Sequence, residues 1–486
     1  MFIGRETQLN ELEELWGRDT GVLVTCRGRR RIGKSTLIEE FAARTADAFI
    51  SIEGLPPRKG MTDALQRQRF CEKVAEYAKR SYEPAETWSL AFWQLNEIIP
   101  DRGRTVVLLD EISWMGGYNP DFAGYFKESW DKVLRKHPNV IFVLCGSVSA
   151  WIVENILNST GFVGRDSLDL ELRELPPGDC VKIWGPTAER LSSREIFDLL
   201  SVTGGVPKYV EEVRAARTSD ENIRRLCFLQ NGLLYRDFDE TFNSVFGAKF
   251  KSRGRLLRLL ASGPKTAAEL AATEGRESNG AYSEALKELV LAGFIANDAG
   301  INPQTCKPMR EARYRVKDNY IRFYLHFIEP QKKAISDGLF EFSSLEQLEG
   351  WEGMLGLQFE NLILNHVNLL FPKLGIERSL VLSASPYWQQ TTKRTKGCQI
   401  DLLIQTRKTL FVVEIKRCRQ IRHGIIADVQ EKVKALAHAS DLSVRTALVY
   451  DGELAPSIPA DRYFDFIIPA VDLLLPADSP NRRGKW

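Results

Sequence analysis

No apolar run in this chain approaches the eighteen or so residues of a membrane-spanning helix, so no membrane partner is expected. The opening residues, Met1-Phe2-Ile3-Gly4-Arg5-Glu6, lack the basic segment and apolar stretch of a secretory signal. Eight cysteines (Cys26, Cys71, Cys145, Cys180, Cys227, Cys306, Cys398, Cys418) are scattered and make no C-x-x-C pair. That argues against a zinc site or a disulfide framework and for a reducing, cytoplasmic setting. Internal repeats and low-complexity tracts are also missing. What remains is an ordinary globular composition, 44% hydrophobic and 27% charged over 486 residues. Length suggests about three domains.

Net charge is only +2, but it is unevenly placed. Between Arg378 and Lys432 stand eleven Lys/Arg (Arg378, Lys393, Arg394, Lys396, Arg407, Lys408, Lys416, Arg417, Arg419, Arg422, Lys432). Only four acids oppose them: Asp401, Glu414, Asp428 and Glu431. A local excess of seven leaves the rest of the chain at −5. Such a field suits a polyanion, so nucleic acid is an expected partner. A solvated basic face would look the same.

Gly28-Arg29-Arg30-Arg31-Ile32-Gly33-Lys34-Ser35 fits the phosphate-binding pattern G-x-x-x-x-G-K-[ST]. Val22-Leu23-Val24-Thr25-Cys26 before it reads as a buried strand, and Leu37, Ile38, Phe41 and Ala42 after it recur at helical spacing. The loop therefore joins a strand to a helix N-terminus, where backbone N–H groups and the dipole favour an anion. Gly28 and Gly33 let the backbone curl around phosphate oxygens. Lys34 is placed to reach the β- and γ-phosphates of ATP, and the Ser35 hydroxyl to face Mg²⁺. Arg29, Arg30, Arg31, Ile32 and Thr36 complete the nucleotide-binding segment. Three arginines are unusual bulk inside such a loop.

Along the chain, Leu9, Leu12 and Leu15 mark an amphipathic helix within 2–16. Ala48–Ile52 reads as a strand, 62–80 and 87–99 as helices, and Thr105–Glu111 as a buried strand ending in two acids. A helix (122–136), a strand (Val140–Cys145), another helix (149–157) and an alternating strand over Leu168, Leu170 and Leu172 follow. This alternation implies a parallel sheet covered on both faces. One extra strand lies between the loop strand and the two-acid strand, the order of the catalytic-glutamate branch of loop NTPases.

Asp110, at the carboxyl end of its strand and next to the loop, is expected to orient Mg²⁺. Glu111 is placed to polarise the attacking water as general base. Ser147, after the next strand over, is positioned to contact the γ-phosphate or the water. Arg165 follows the helix after that strand. An arginine there projects onto a neighbouring subunit's nucleotide, which makes a homo-oligomer an expected partner. A surface arginine paired with Asp166 fits as well.

Residues 179–245 read as helical, broken at Thr203-Gly204-Gly205-Val206-Pro207. From Lys251 to Ile328 come a helix (251–261), a break, a short helix (266–273), a longer helix (279–292) and a strand pair ending in Tyr314-Arg315-Val316. Helix–turn–helix then hairpin is a winged-helix pattern. The helix that would enter a groove carries Glu284, Lys287 and Glu288, net −1. A major-groove reader carries Arg, Lys, Asn or Gln there. The module therefore reads as a transmitter of nucleotide state in preference to a sequence reader. Its wing is more basic, with Lys307, Arg310, Arg313 and Arg315. Residues 329–345 look like a linker or mobile connector.

Phe2-x-Gly-Arg-Glu, the loop, Leu-Leu-Asp-Glu, Cys-Gly-Ser and Gly-Gly-Val-Pro together resemble the AAA/STAND-type ATPases of archaea and bacteria. The group most similar has a restriction-endonuclease-like C-terminal domain, and the resemblance covers nearly the whole chain. It implies that Gly4, Arg5 and Pro207 frame the adenine. The lid departs from the pattern: it has no clear sensor arginine, only Lys208 or Arg214 nearby.

Near the C-terminus, Gln399–Ile404 and Leu410–Lys416 read as two strands joined by a turn. Alternation puts Glu414 and Lys416 on one face, with Asp401 beside them. Two carboxylates and an ammonium on an otherwise apolar hairpin are costly unless they bind something. Together they resemble the D…E-x-K arrangement of PD-(D/E)XK nucleases. That resemblance implies that Asp401 and Glu414 hold Mg²⁺ and that Lys416 positions and helps deprotonate water. Glu360, on an apolar helix, resembles the supporting helix acid, and Gln430 and Lys432 the accessory polar residues. A bare Val-Glu-Ile-Lys is also an ordinary edge strand.

The expected fold is a multidomain α/β chain. It comprises a P-loop core (1–175), a helical lid (176–250), a winged helix (251–328), a connector (329–349) and a nuclease-like α/β domain (350–475). The expected function is ATP hydrolysis coupled to a metal-dependent nuclease. The alternative is a nucleotide-gated switch with a silent C-terminal domain.

Overall fold

The computed structural model describes residues 2–147, 149–275, 279–342, 344–393 and 395–475. The chain divides into two compact units. One holds the residues through Arg173 with Asp239–Lys251 and Lys287–Gly293; the other holds Glu174–Phe238, Ser252–Leu286 and the chain from Phe294 onward. Among the described residues no helix is long and apolar enough to cross a membrane.

The first unit is built on a parallel sheet of β1 (Val22–Gly28), β2 (Ala48–Glu53), β3 (Thr105–Asp110), β4 (Val140–Gly146) and β5 (Asp166–Leu172), in the order β2-β3-β4-β1-β5. The apolar runs are continuous because both faces are covered. Val22, Val24, Val106, Leu108, Ile141 and Val143 pack with Leu37, Ile38 and Phe41 of helix Lys34–Thr45. The alternate residues Leu23, Val107, Leu109, Phe142 and Leu144 face Trp88 and Phe92 of helix Trp88–Glu97 and Phe122 and Phe126 of helix Phe122–Lys132. Trp88 and Phe122 meet edge-to-face at 4.7 Å. Each such side chain, fully buried, contributes about 1.5–3 kcal/mol. One strand, β4, lies between β1 and β3, while β2 goes to the edge.

The second unit begins with short helices. Ser193–Thr203 and Ser219–Cys227 each open on a reciprocal capping box, Ser192 with Glu195 and Thr218 with Glu221. Next come helices Phe250–Ala261 (shared with the first unit at its start) and Ala267–Thr273. An antiparallel sheet of β6 (Lys265–Thr266), β7 (Ile295–Asp298) and β8 (Arg313–Val316) runs in the order β6-β8-β7. The stretch read as a connector carries a short helix, Lys332–Ser336, whose Ile335 is buried.

A five-stranded sheet closes the chain: β9 (Val381–Gln389), β10 (Cys398–Thr406), β11 (Thr409–Ile421), β12 (Ser443–Leu454) and β13 (Phe466–Pro469), ordered β13-β12-β11-β10-β9. β9, β10 and β11 pair antiparallel; β11, β12 and β13 pair parallel. Ile400, Leu403, Leu410, Val412 and Leu448 pack with Ile425, Ile426 and Val429 of helix Ile425–Ala435. Helix Trp351–Asn365 packs on β11 and on helix Ser193–Thr203, with Phe197 edge-to-face on Phe359 at 5.4 Å.

Buried polar bonds tie these elements together. The Gln358 amide donates to Ser201 O (2.8 Å) and Asn319 O (2.6 Å), and Asn361 donates to Lys317 O (2.6 Å). Arg417, its side chain 1% exposed, bridges Asp198 on helix Ser193–Thr203 and Asp451 on β12, the latter at 3.0 Å. Burial pushes the Asp198 carboxyl up, and Arg417 pulls it back.

Candidate functional site

The phosphate-binding loop closes onto helix Lys34–Thr45 through residues the backbone requires. Gly28 has φ +146, and a Cβ there would stand 2.5 Å from the Leu172 carbonyl. Gly33 has φ +87, and Arg31 takes φ +68, a conformation L-residues rarely adopt. Lys34 is buried and donates to two loop carbonyls, Gly28 O (3.1 Å) and Arg29 O (3.2 Å). The Ser35 hydroxyl donates to Asp110 Oδ2 at 2.5 Å, so Asp110 reaches the loop across the intervening strand. Thr36 is exposed on the first helical turn.

The arginines have separate surroundings. Arg29 is buried, Arg30 lies over the Trp114 ring at 5.8 Å, and Arg31 pairs with Glu240 at 3.3 Å. The Arg5 guanidinium donates to Ile32 O (3.3 Å) and Arg173 O (2.5 Å), which ties the Gly4–Arg5 turn to the loop. Pro207 opens helix Pro207–Glu211 in the other unit.

Glu111 is not the last strand residue. It sits just past β3 with φ +47, so its side chain turns toward β4. There its Oε2 accepts from the Ser147 N–H (3.0 Å) and hydroxyl (2.8 Å). Glu53, at the end of β2 and in register with Asp110, was missed in the sequence. Burial and then the charges of Asp110 and Glu111 push its carboxyl up. Its signal was positional: it ends the strand paired with the two-acid strand. Arg165 forms a bidentate pair with Asp131 (2.8 and 3.0 Å), not with Asp166. That pair, followed by Lys127, holds the Asp131 carboxyl down to about 2.

In the second unit, Asp401 and Glu414 converge. Asp401 Oδ2 accepts from the Ile415 N–H at 2.9 Å. The β9–β10 register shifts between Ile400 and Leu403, and such a bulge re-aims the Asp401 side chain. The ammonium that meets both carboxylates comes from Lys432 on helix Ile425–Ala435, 2.5 Å from Glu414 and 3.6 Å from Asp401. Lys416 is exposed, and its charge acts on Glu414 more weakly than that of Lys432.

Burial works against the charge on Lys432, but Asp401 and Glu414 outweigh it and hold its ammonium above the ordinary range. Burial and then Asp401 push Glu414 up. Glu360 is half-buried on helix Trp351–Asn365; burial and then the Asp401 charge push its carboxyl up to about 7. Among the described residues no three His, Cys, Asp or Glu side chains stand close enough to hold a metal ion as they are.

Much of the basic stretch is already paired. Arg417 is buried in its bridge, Lys396 meets Glu431, and Arg419 meets Glu346. Arg394 lies outside the described residues.

Residues 2–213 match the model of a family described as an ATPase domain predominantly from Archaea. The chain thus carries an ATPase domain with the P-loop α/β fold. It is similar to a protein of Methanocaldococcus jannaschii described as uncharacterized, 26% identical over 437 residues, which are 86% of this chain and 87% of that one. Two solved structures are also similar. The Walker-type ATPase of Pyrococcus abyssi is 17% identical, with a TM-score of 0.45, over 67% of this chain and 96% of that one. The Aeropyrum pernix ORC2 protein, in ADPNP–ADP complexes, is 13% identical, with a TM-score of 0.40, over 69% of this chain and 94% of that one.

Proposed function

We propose that this protein binds and hydrolyses ATP and couples that cycle to a metal-dependent nuclease site on its C-terminal sheet. The observation that carries the first half is the contact of Ser35 with Asp110, with Glu111 one residue on. On nucleotide binding, Lys34 exchanges the Gly28 and Arg29 carbonyls for phosphate oxygens. Ser35 and Asp110 are the residues that would hold Mg²⁺, which when bound neutralises phosphate charge. Glu111 accepts the proton of the attacking water once it leaves Ser147. Gly4 and Arg5, tied to the loop, face the adenine. Arg165, released from Asp131, supplies positive charge to a neighbouring subunit's nucleotide in a homo-oligomer. Free thiols at all eight cysteines fit a cytoplasmic setting.

The second half rests on the convergence of Asp401 and Glu414 upon one cation, Lys432, with Glu360 nearby, its carboxyl pushed up to about 7. Two carboxylates around a single positive charge suit Mg²⁺ or Mn²⁺, which when bound would polarise the phosphodiester. Asp401 and Glu414 would then hold the ion, and Glu360 would support it. Lys416 and the Lys432 ammonium would orient the attacking water and ease loss of its proton to solvent. The polyanionic substrate is nucleic acid, with the module of β6–β8 read as a winged helix that relays nucleotide state.

One observation favours a second reading: Lys432 already pairs with both carboxylates, as it would in a silent domain that only switches or binds. Incubation with plasmid, linear and single-stranded DNA and with RNA, in Mg²⁺ or Mn²⁺ and with or without ATP, separates the two. Cleavage that disappears in Asp401→Asn supports the nuclease. Nucleic-acid binding without cleavage in any condition supports the switch.

A further inference from the structure

A cleft of about 720 Å³ opens in the second unit between edge strand β9 and the 299–312 excursion that joins β7 to β8. Tyr387 and Trp388 line it from β9; Lys307, Arg310 and Arg313 line it from the other side. The Arg313 guanidinium lies over the Trp388 ring, 5.5 Å from its centre. Two bonds of 2.9 Å to Glu269 hold that guanidinium in place. The result is a flat platform made of a half-buried indole and a guanidinium fixed by a carboxylate.

Charge in the cleft divides cleanly. Arg313 is matched by Glu269, and Asp298 by Arg315. That leaves Lys307 and Arg310, both exposed and without an ion pair among the described residues, against exposed Glu311. The cleft also lies beside the carboxylates. Trp388 is the register partner of Gln399, and Asp401 is two residues further along β10, past the register shift that re-aims its side chain. At about 3.3 Å per residue and about 4.8 Å between strands, the two backbones are roughly 8 Å apart.

We infer that this cleft seats one or two nucleotides of a single-stranded nucleic acid, bases against the Trp388–Arg313 platform and phosphates toward Lys307 and Arg310. The strand then runs on to Asp401 and Glu414. Bases stack on aromatic rings and guanidinium planes whatever their sequence. A duplex keeps its base faces inside its own stack, out of reach of such a platform. The volume is that of a small-ligand pocket, not of a groove for a double helix. Delivery to the carboxylates rests on the nuclease reading above, whereas binding in the cleft does not.

The test is fluorescence anisotropy of labelled oligothymidylate, oligouridylate and a blunt DNA duplex with the full chain, in EDTA so that nothing is cut. Single strands should bind more tightly than duplex, and the two oligonucleotides show whether the sugar matters. Trp388→Ala should weaken single-strand binding about tenfold, with ATP hydrolysis unchanged as the control for folding. Trp388→Phe should restore most of the loss. Lys307→Glu with Arg310→Glu should weaken binding and flatten its salt dependence. Parent affinity in Trp388→Ala, equal affinity for duplex, or competition by an acidic peptide alone would overturn the inference. Adding Mn²⁺ to the same samples tests the other claim separately. Binding that needs Trp388 with no cleavage keeps the cleft and removes the nuclease; cleavage with affinity indifferent to Trp388 does the reverse.

Discussion

Replacing Glu360 by glutamine should make the protein more stable, and only at neutral and alkaline pH. Burial first, then the Asp401 charge, lifts this carboxyl from 4.5 to about 7, while Arg322 and Arg315 pull the other way. The gap corresponds to about 3 kcal/mol of preference for the neutral form. Unfolded, Glu360 titrates near 4.5, so the folded chain holds its proton more tightly. The stabilisation from that proton is complete below pH 4.5 and is lost as pH rises through about 7. Glutamine is neutral throughout and never loses it. The two proteins should therefore melt together near pH 4, and Glu360→Gln should be ahead by up to about 3 kcal/mol near pH 8, less whatever solvent screens at this half-buried position. At ~2–4 °C per kcal/mol, the gain is several degrees. Melting temperatures of both proteins from pH 4 to pH 9 measure it. Parallel curves would refute the burial and repulsion argument. A divalent cation held by Asp401 and Glu414 offsets their charge, so Mn²⁺ should shrink the gap at pH 8.

Three further outcomes are expected. Lys34→Ala should lose nucleotide binding, whereas Glu111→Gln should bind ATP and hydrolyse it about 10²- to 10⁴-fold more slowly; hydrolysis at the parent rate would remove Glu111 as the base. Arg165→Ala should slow hydrolysis without weakening ATP binding, and only in assembled protein, with recovery when its subunits are mixed with Lys34→Ala subunits. A fully active monomer, or no recovery on mixing, would end the idea that Arg165 acts in trans. Arg417→Met leaves Asp198 and Asp451 buried without their shared cation, at a cost of about 3–5 kcal/mol in a denaturant melt; a loss under 1 kcal/mol would show that the bridge holds little.

What the sequence made legible was whatever depends on local pattern. The loop, its strand and its helix read directly, because Val22–Cys26 and Leu37–Ala42 carry the periodicities of their elements. So did the hairpin that brings Asp401 near Glu414, since alternation fixes which residues share a face. What stayed hidden depends on non-local placement. Nothing in the chain order says that the strand between β1 and β3 is β4, while β2 goes to the edge. Asp131 lies 34 residues from Arg165, and sequence offered only the adjacent Asp166 as a partner. Lys432 was read as accessory, yet a helix packed on the sheet brings its ammonium to the two carboxylates, while Lys416 of the E-x-K pattern is exposed. The basic stretch overstated free charge, because Arg417 is consumed by a buried bridge to Asp198, some 220 residues away.

The most direct test of the central claim measures phosphate release from ATP and cleavage of single-stranded DNA in one Mn²⁺-containing reaction. It compares the parent with Asp401→Asn and Lys34→Ala. The account expects the parent to do both, Asp401→Asn to hydrolyse ATP without cutting, and Lys34→Ala to lose ATP hydrolysis together with any ATP-dependence of cutting. Cutting by Asp401→Asn at the parent rate would contradict it.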